Sequence, residues 1–374
     1  MNRITATLLC LVLCLAGTSL HATAFAAEQT SVSAPSAPSP ATSAQVVALK
    51  TPVVPASLVR PFPAPVTTHT VTVPAAIDAT GKTEVSAALN SFIETVPDGS
   101  IISFPTGATY LLDKCIIIGS RHNLVFEGNG TTLRAGSNAK GNDAFATPFV
   151  VGYSPDHPNT DIVVHDFIII GNSRTPGIYI ARSEFQSSLS AAYSKRVEIY
   201  NITGSAAPGD FLRCEQADEI WVHDCHALTV GRNGISVTEG SDILVERVAF
   251  DISGHCTFDI EPNYANDVCS DITLRNNTAG KWGYAFLALG SNAGGPIDKI
   301  VVDNNTVTAG SIKAYIGNSV PTKRMTRITF TNNKGTIVAG PVFYSNYVDG
   351  LTVTGNVQPL SSGVLASITN STGG

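Results

Sequence analysis

From about residue 76 onward, apolar and polar residues alternate over short runs, and turn residues interrupt the runs at intervals. Alternation with period two marks strands that bury one face. One phrase recurs along the chain. It reads Leu-Val-Phe-Glu-Gly at 124–128, Ile-Val-Val-His-Asp at 162–166, Val-Glu-Ile-Tyr-Asn at 197–201, Ile-Trp-Val-His-Asp at 220–224 and Ile-Leu-Val-Glu-Arg at 243–247. It continues as Ile-Thr-Leu-Arg-Asn at 272–276, Ile-Val-Val-Asp-Asn at 300–304, Ile-Thr-Phe-Thr-Asn at 328–332 and Leu-Thr-Val-Thr-Gly at 351–355. The final residues lie 38, 35, 23, 23, 29, 28, 28 and 23 apart. A unit of about 23 residues with variable insertions is the signature of a solenoid.

Within a unit the alternation predicts three brief strands, for example at 234–237, 243–246 and 248–250. Three strands per coil, with Ile, Val, Leu and Phe inward, predict an all-β fold, a parallel β-helix of roughly ten coils. Asn at the tight turn tolerates left-handed backbone, and Asn276, Asn304 and Asn332 are expected to stack and bond to one another. Asn201, Asn276 and Asn304 also stand in Asn-x-Thr sequons, read here as ladder residues. One stretch departs from the pattern. Val85, Ala88, Leu89, Phe92 and Ile93 have helical spacing, with Thr83 as the cap and Val96-Pro97-Asp98-Gly99 as the stop. This amino-terminal helix is expected to cover the edge of the first coil.

The ends of the chain add context. Arg3, an apolar run from Ile4 to Ala16 and Ala24-Phe25-Ala26 predict a signal peptide over 1–27 and hence a secreted protein, extracellular or periplasmic. Residues 28–75 are rich in Pro, Ala, Ser and Thr and predict a linker, leaving 76–374 as one β-helix domain. After export Cys115, Cys214, Cys225, Cys256 and Cys269 remain, an odd set without a Cys-x-x-Cys spacing. Cys256 and Cys269 are a candidate disulfide in an oxidising compartment. With 23 Lys and Arg against 29 Asp and Glu, nothing marks a nucleic-acid partner. No apolar run of membrane-spanning length follows the leader, although mean hydropathy is +0.16.

Asp78-Ala-Thr-Gly-Lys82, then the helix, then the run from Val96 to Pro105 and Tyr110-Leu-Leu112, resembles the amino-terminal signature of the pectate-lyase-like superfamily. The resemblance implies a right-handed parallel β-helix, cleavage of a polysaccharide or oligosaccharide, and a substrate groove along one sheet. Aligning the coils gives groove strands at 212–215, 235–238, 258–261 and 287–290. With Phe258 and Ile260 inward, Asp259 and Glu261 point out together, about 6.6 Å apart along the strand. Two adjacent carboxyls repel, which separates an acid from a base. Glycoside hydrolysis needs such a pair at about 5 to 9.5 Å. Asp259 and Glu261 are therefore the expected catalytic residues.

Arg213 and Glu215 fall in the same two columns two coils away, with Ser236 and Thr238 between. Arg213, Glu215, Arg232, Asn233, Ser236, His255 and Asn263 are the expected substrate contacts. Tyr179 and Tyr315 map to outward groove positions on either side of the acids, with Tyr264, Trp282 and Tyr284 in nearby turns. Insertions at 182–196, 262–271, 290–299 and 317–327 are expected to wall the groove. Hydrolysis requires no cofactor.

The superfamily leaves a second reading open, a lyase or uronate epimerase. There Asp259, Glu261 and Glu215 hold Ca²⁺ and Arg213 or Arg232 is the base. A third reading is a non-catalytic glycan-binding surface module, with the acids simply neutralised by arginine. Asn159-Thr160-Asp161 spells a polygalacturonase tripeptide, but it precedes a phrase strand and no Arg-Ile-Lys follows. Gly254-His255-Cys256 resembles part of another such motif, and Trp221-Val-His-Asp224 coincides with the structural phrase.

Overall fold

The computed structural model describes residues 59–137, 147–180, 186–318, 320–340, 342–361 and 365–373. The expected leader and the first part of the expected linker lie outside the described residues. Strands follow one another around coils, and every named strand pair is parallel. No described helix is long and apolar enough to cross a membrane.

The register of the groove sheet follows the sequence alignment of the coils. Leu212 pairs with Ile235, Ile235 with Phe258, Phe258 with Leu287 and Leu287 with Ala314. These residues point inward and are buried. Phe258 packs edge-on against Phe250 and Phe286, with centroids 5.4 Å apart in each case. Burying one such ring contributes roughly 2–3 kcal/mol. The recurring phrase forms a second sheet, in which Ile220, Ile243, Ile272, Ile300 and Ile328 stack. Its closing residues take left-handed backbone, with φ of 51° at Asp224, 54° at Arg247 and 56° at Asn276. Arg247 shows that the turn is imposed by the stacked sheets even where the residue does not favour it.

The asparagine ladder is real but displaced by one residue. Asn304 donates to Asn276 at 2.7 Å, whereas Asn332 turns to Asp303. The continuous column lies inside: Asn277 donates to Asn305 at 3.0 Å, Asn305 to Asn333 at 2.9 Å and Asn333 to Asn356 at 3.1 Å. Each amide oxygen also accepts the backbone N–H of the preceding member. Buried turn backbone needs partners, and these side chains supply them.

The helix spans Ser86–Thr95 and buries Leu89 and Ile93. Asn90 pins it to the next coil by donating to Cys115 O and accepting from Ile117 N. Thr83 is not its cap. It lies in the strand Thr80–Glu84, and the Glu84 carboxylate accepts the Ser86 N–H at 2.7 Å. The segment read as linker already holds a strand, His69–Thr72, paired with Ser100–Ser103. No disulfide joins Cys256 and Cys269: all five cysteines among the described residues are buried free thiols. From 189 on, the insertion expected at 182–196 is the strand Leu189–Tyr200, and 182–185 lie outside the described residues.

Candidate functional site

Asp259 sits on the strand Cys256–Ile260, between inward Phe258 and Ile260. It points away from the core and is nevertheless only 7% exposed. Glu261 follows that strand, half-buried, and its N–H still pairs with Val237 O at 2.9 Å. Strand geometry therefore holds both carboxyls on one outer face. Ser236 and Ala288 flank Asp259 on the neighbouring coils, and Arg213 lies beyond Ser236.

A third carboxyl joins them that sequence reading missed. Asp210, two positions before Leu212, is completely buried. It accepts from Ser236 Oγ at 2.6 Å and from the Asn233 N–H at 2.8 Å. Asn233 in turn donates from Nδ2 to Asp259 at 2.8 Å, and its Oδ1 accepts the Cys256 N–H. Arg232 reaches both acids, at 3.4 Å from Asp210 and 3.6 Å from Asp259. One network thus joins Asp210, Arg232, Asn233, Ser236 and Asp259. The available signal was positional: Asp210 and Asn233 occupy the same place in successive coils, at a corner before the alternation begins.

Burial outweighs the nearby cation here. Burial pushes the Asp259 and Asp210 carboxyls up, against the opposing pull of Arg232 and hydrogen bonds. Burial, then the neighbouring Asp259 charge, raises Glu261 to about 7. Arg213 is committed to Glu215 at 2.5 Å. His255 is lowered to about 4, by burial first and then by Arg232. The region therefore combines a carboxyl raised toward neutrality, a hydrogen-bonded second carboxyl and an imidazole held below its usual range.

Aromatic residues form one wall. Tyr179, His255, Tyr284, Tyr315 and Tyr344 follow one another with centroids 5.0–5.1 Å apart. Their faces cover one another, so the interior rings present edges. Tyr315 lies on the groove strand Ala314–Gly317, whereas Tyr179 comes from the loop at 171–180 and is not on a groove strand. The Lys313 ammonium lies 4.9 Å from the Tyr315 ring and 5.6 Å from Tyr284. Trp282 donates to Ser311 O, and Tyr264 is exposed. Asn263 is exposed in the turn beyond Glu261, its N–H donating to Asp267.

Other candidates are structural. Asn159 is buried and donates to Ile118 O, and Asp161 binds Arg196. His226 pairs with Asp251. Among the described residues, no three His, Cys, Asp or Glu side chains converge as a metal-holding group. A cavity of about 300 Å³, bordered by Pro155, Pro158, Tyr193 and Lys195, contains none of the expected site residues.

No protein-family model matches the chain, and no curated protein does. Solved structures do. Endo-xylogalacturonan hydrolase from Aspergillus tubingensis aligns with a TM-score of 0.56 at 13% identity, over 81% of this chain and 96% of that one. The family 28 exopolygalacturonase of Yersinia enterocolitica gives 0.51 at 11% identity, over 81% and 78%. A galactohydrolase described as acting on galactose-4-sulfate and 3,6-anhydrogalactose-2-sulfate units gives 0.51 at 13%, over 77% and 73%. At such identities the likeness concerns architecture, and it agrees with the coil-by-coil register. The chain has a right-handed parallel β-helix fold, as these solved structures do.

Proposed function

We propose that the protein is a carbohydrate-active enzyme that hydrolyses glycosidic bonds in a polysaccharide or oligosaccharide. The observation that carries this reading is the recessed acid cluster, in which one guanidinium serves Asp210 and Asp259 while Glu261 is raised to about 7. Carboxyls raised by burial and by one another collect at sites of chemistry. The hydrolase names of three similar folds agree with the reading.

Glu261 retains its proton near neutral pH and is the general acid toward the leaving oxygen. Asp259, held by Asn233 and Arg232, is the carboxylate that acts as base or nucleophile. Asp210 touches no substrate. It orients Arg232, Asn233 and Ser236 from beneath. Arg213, Glu215, Ser236, His255 and Asn263 supply contacts along the sheet, with Tyr179 and Tyr315 at the wall. The leader-like first residues agree with a site of action outside the cytoplasm, where polymeric glycans are met.

The test is a panel of purified polysaccharides, with and without chelator. New reducing ends, no ultraviolet absorbance from an unsaturated sugar and indifference to chelator are expected. Unsaturated products would overturn hydrolysis in favour of elimination. Asp259→Asn and Glu261→Gln variants that keep full turnover would remove the acids from the reaction.

A further inference from the structure

His255 is enclosed on three sides. Tyr284 stacks on one ring face at 5.0 Å and 7°, and Tyr179 leans against the other at 5.1 Å and 33°. The Nδ1 edge meets the Cys256 sulfur at 3.4 Å. The residue is half-buried, and with both ring faces and Nδ1 engaged, Nε2 is the ring nitrogen left for a further partner. Cys256 itself is fully buried, and its own backbone N–H is fixed on Asn233 Oδ1.

We infer that the Cys256 thiol donates to His255 Nδ1, fixing the ring as its Nε2–H tautomer, and that this edge is a pre-set hydrogen-bond donor to the glycan held beside Asp259. A bare imidazole nitrogen is a far better acceptor than a thiol sulfur, so the pair is best satisfied with the S–H donating and Nδ1 accepting. Burial keeps the thiol protonated, and the same burial keeps the ring neutral down to about pH 4. Cys256 is a positioning residue; His255 is the group that meets substrate. The donor role rests on the hydrolase reading, whereas the tautomer does not.

The experiment is ring ¹⁵N NMR of histidine-labelled protein, with His255 assigned by the signals lost in His255→Gln. Between pH 5 and 8, a protonated Nε2, a bare Nδ1 and no titration are expected. Cys256→Ser should keep that spectrum and stay within about twofold of wild-type kcat/KM. Cys256→Val should mix the tautomers and lose about tenfold in kcat/KM, the worth of one neutral hydrogen bond. A wild-type ring protonated at Nδ1 overturns the inference, whether or not any glycan is cleaved. An unchanged spectrum in Cys256→Val does the same. The expected tautomer in a protein that cleaves no glycan instead overturns the hydrolase reading and, with it, the donor role.

Discussion

On the sheet built from the recurring phrase, Glu246 is at least as buried as Asp259, at 3% against 7% exposure. Its surroundings are the opposite. Arg275 lies 2.9 Å and Arg247 3.0 Å from its carboxylate, and Trp221 Nε1 donates to it at 3.1 Å. Burial pushes Glu246 up, but the two arginines outweigh it and hold the carboxyl below its usual range. Asp224 behaves alike, burial being outweighed by Arg247 and His223. At the groove burial prevails, because Asp259 and Asp210 sit deeper beneath the surface than their exposure alone tells and share Arg232. Exposure alone therefore does not distinguish structural from chemical carboxyls here; depth and the ratio of cations to acids together do.

The comparison is broken most sharply by isosteric neutralisation. Asp259→Asn or Glu261→Gln should each lower kcat by about 10³ while leaving stability equal or higher. Glu246→Gln should leave turnover within about twofold, yet cost about 2 kcal/mol in urea unfolding, because Arg275 loses its carboxylate and Arg247 keeps only Asp224. Comparable losses of turnover from both clusters would erase the distinction.

The pH dependence sharpens it. Glu261 is raised, so its contribution to stability is full below the ordinary glutamate range and is lost as pH climbs through about 7. Asp224 and Glu246 are lowered, so theirs is present above that range and is lost on acidification. Thermal unfolding from pH 4 to 8 should show both slopes. Glu261→Gln should flatten only the upper one, and kcat/KM should fall above about pH 7 as the acid loses its proton.

Smaller effects are expected from the frame. Asn305→Ala leaves buried amide partners unsatisfied and should cost about 2 kcal/mol with turnover retained. Reductant should shift Tm by nothing measurable, and Cys115, Cys214, Cys225, Cys256 and Cys269 should all titrate as thiols on unfolding.

The fold and the groove register were legible because strands of period two, repeated coil after coil, leave one alignment in which Leu212, Ile235, Phe258 and Leu287 all face inward. Legibility stopped at corners. Asp210 precedes its strand, where alternation carries no information, and only packing shows it reaching Ser236. Asn277 and Asn276 are adjacent asparagines, and which one turns inside depends on the left-handed residue before the bend. Tyr179 was misassigned because the loop at 171–180 reaches His255 from three coils away. The Thr83 cap failed for a local reason, since Glu84 reaches the same orphan N–H from one residue closer.

The inner amide column has a bearing on how this chain tolerates change in length. Its links join residues 28, 28 and 23 positions apart, yet every link has the same geometry. The spine is thus indifferent to how much polypeptide lies between its rungs, provided that the excess leaves by another bend. Insertions or grafted segments should be accepted at the remaining corners of the carboxyl-terminal coils, and a single added residue beside Asn305 should be refused.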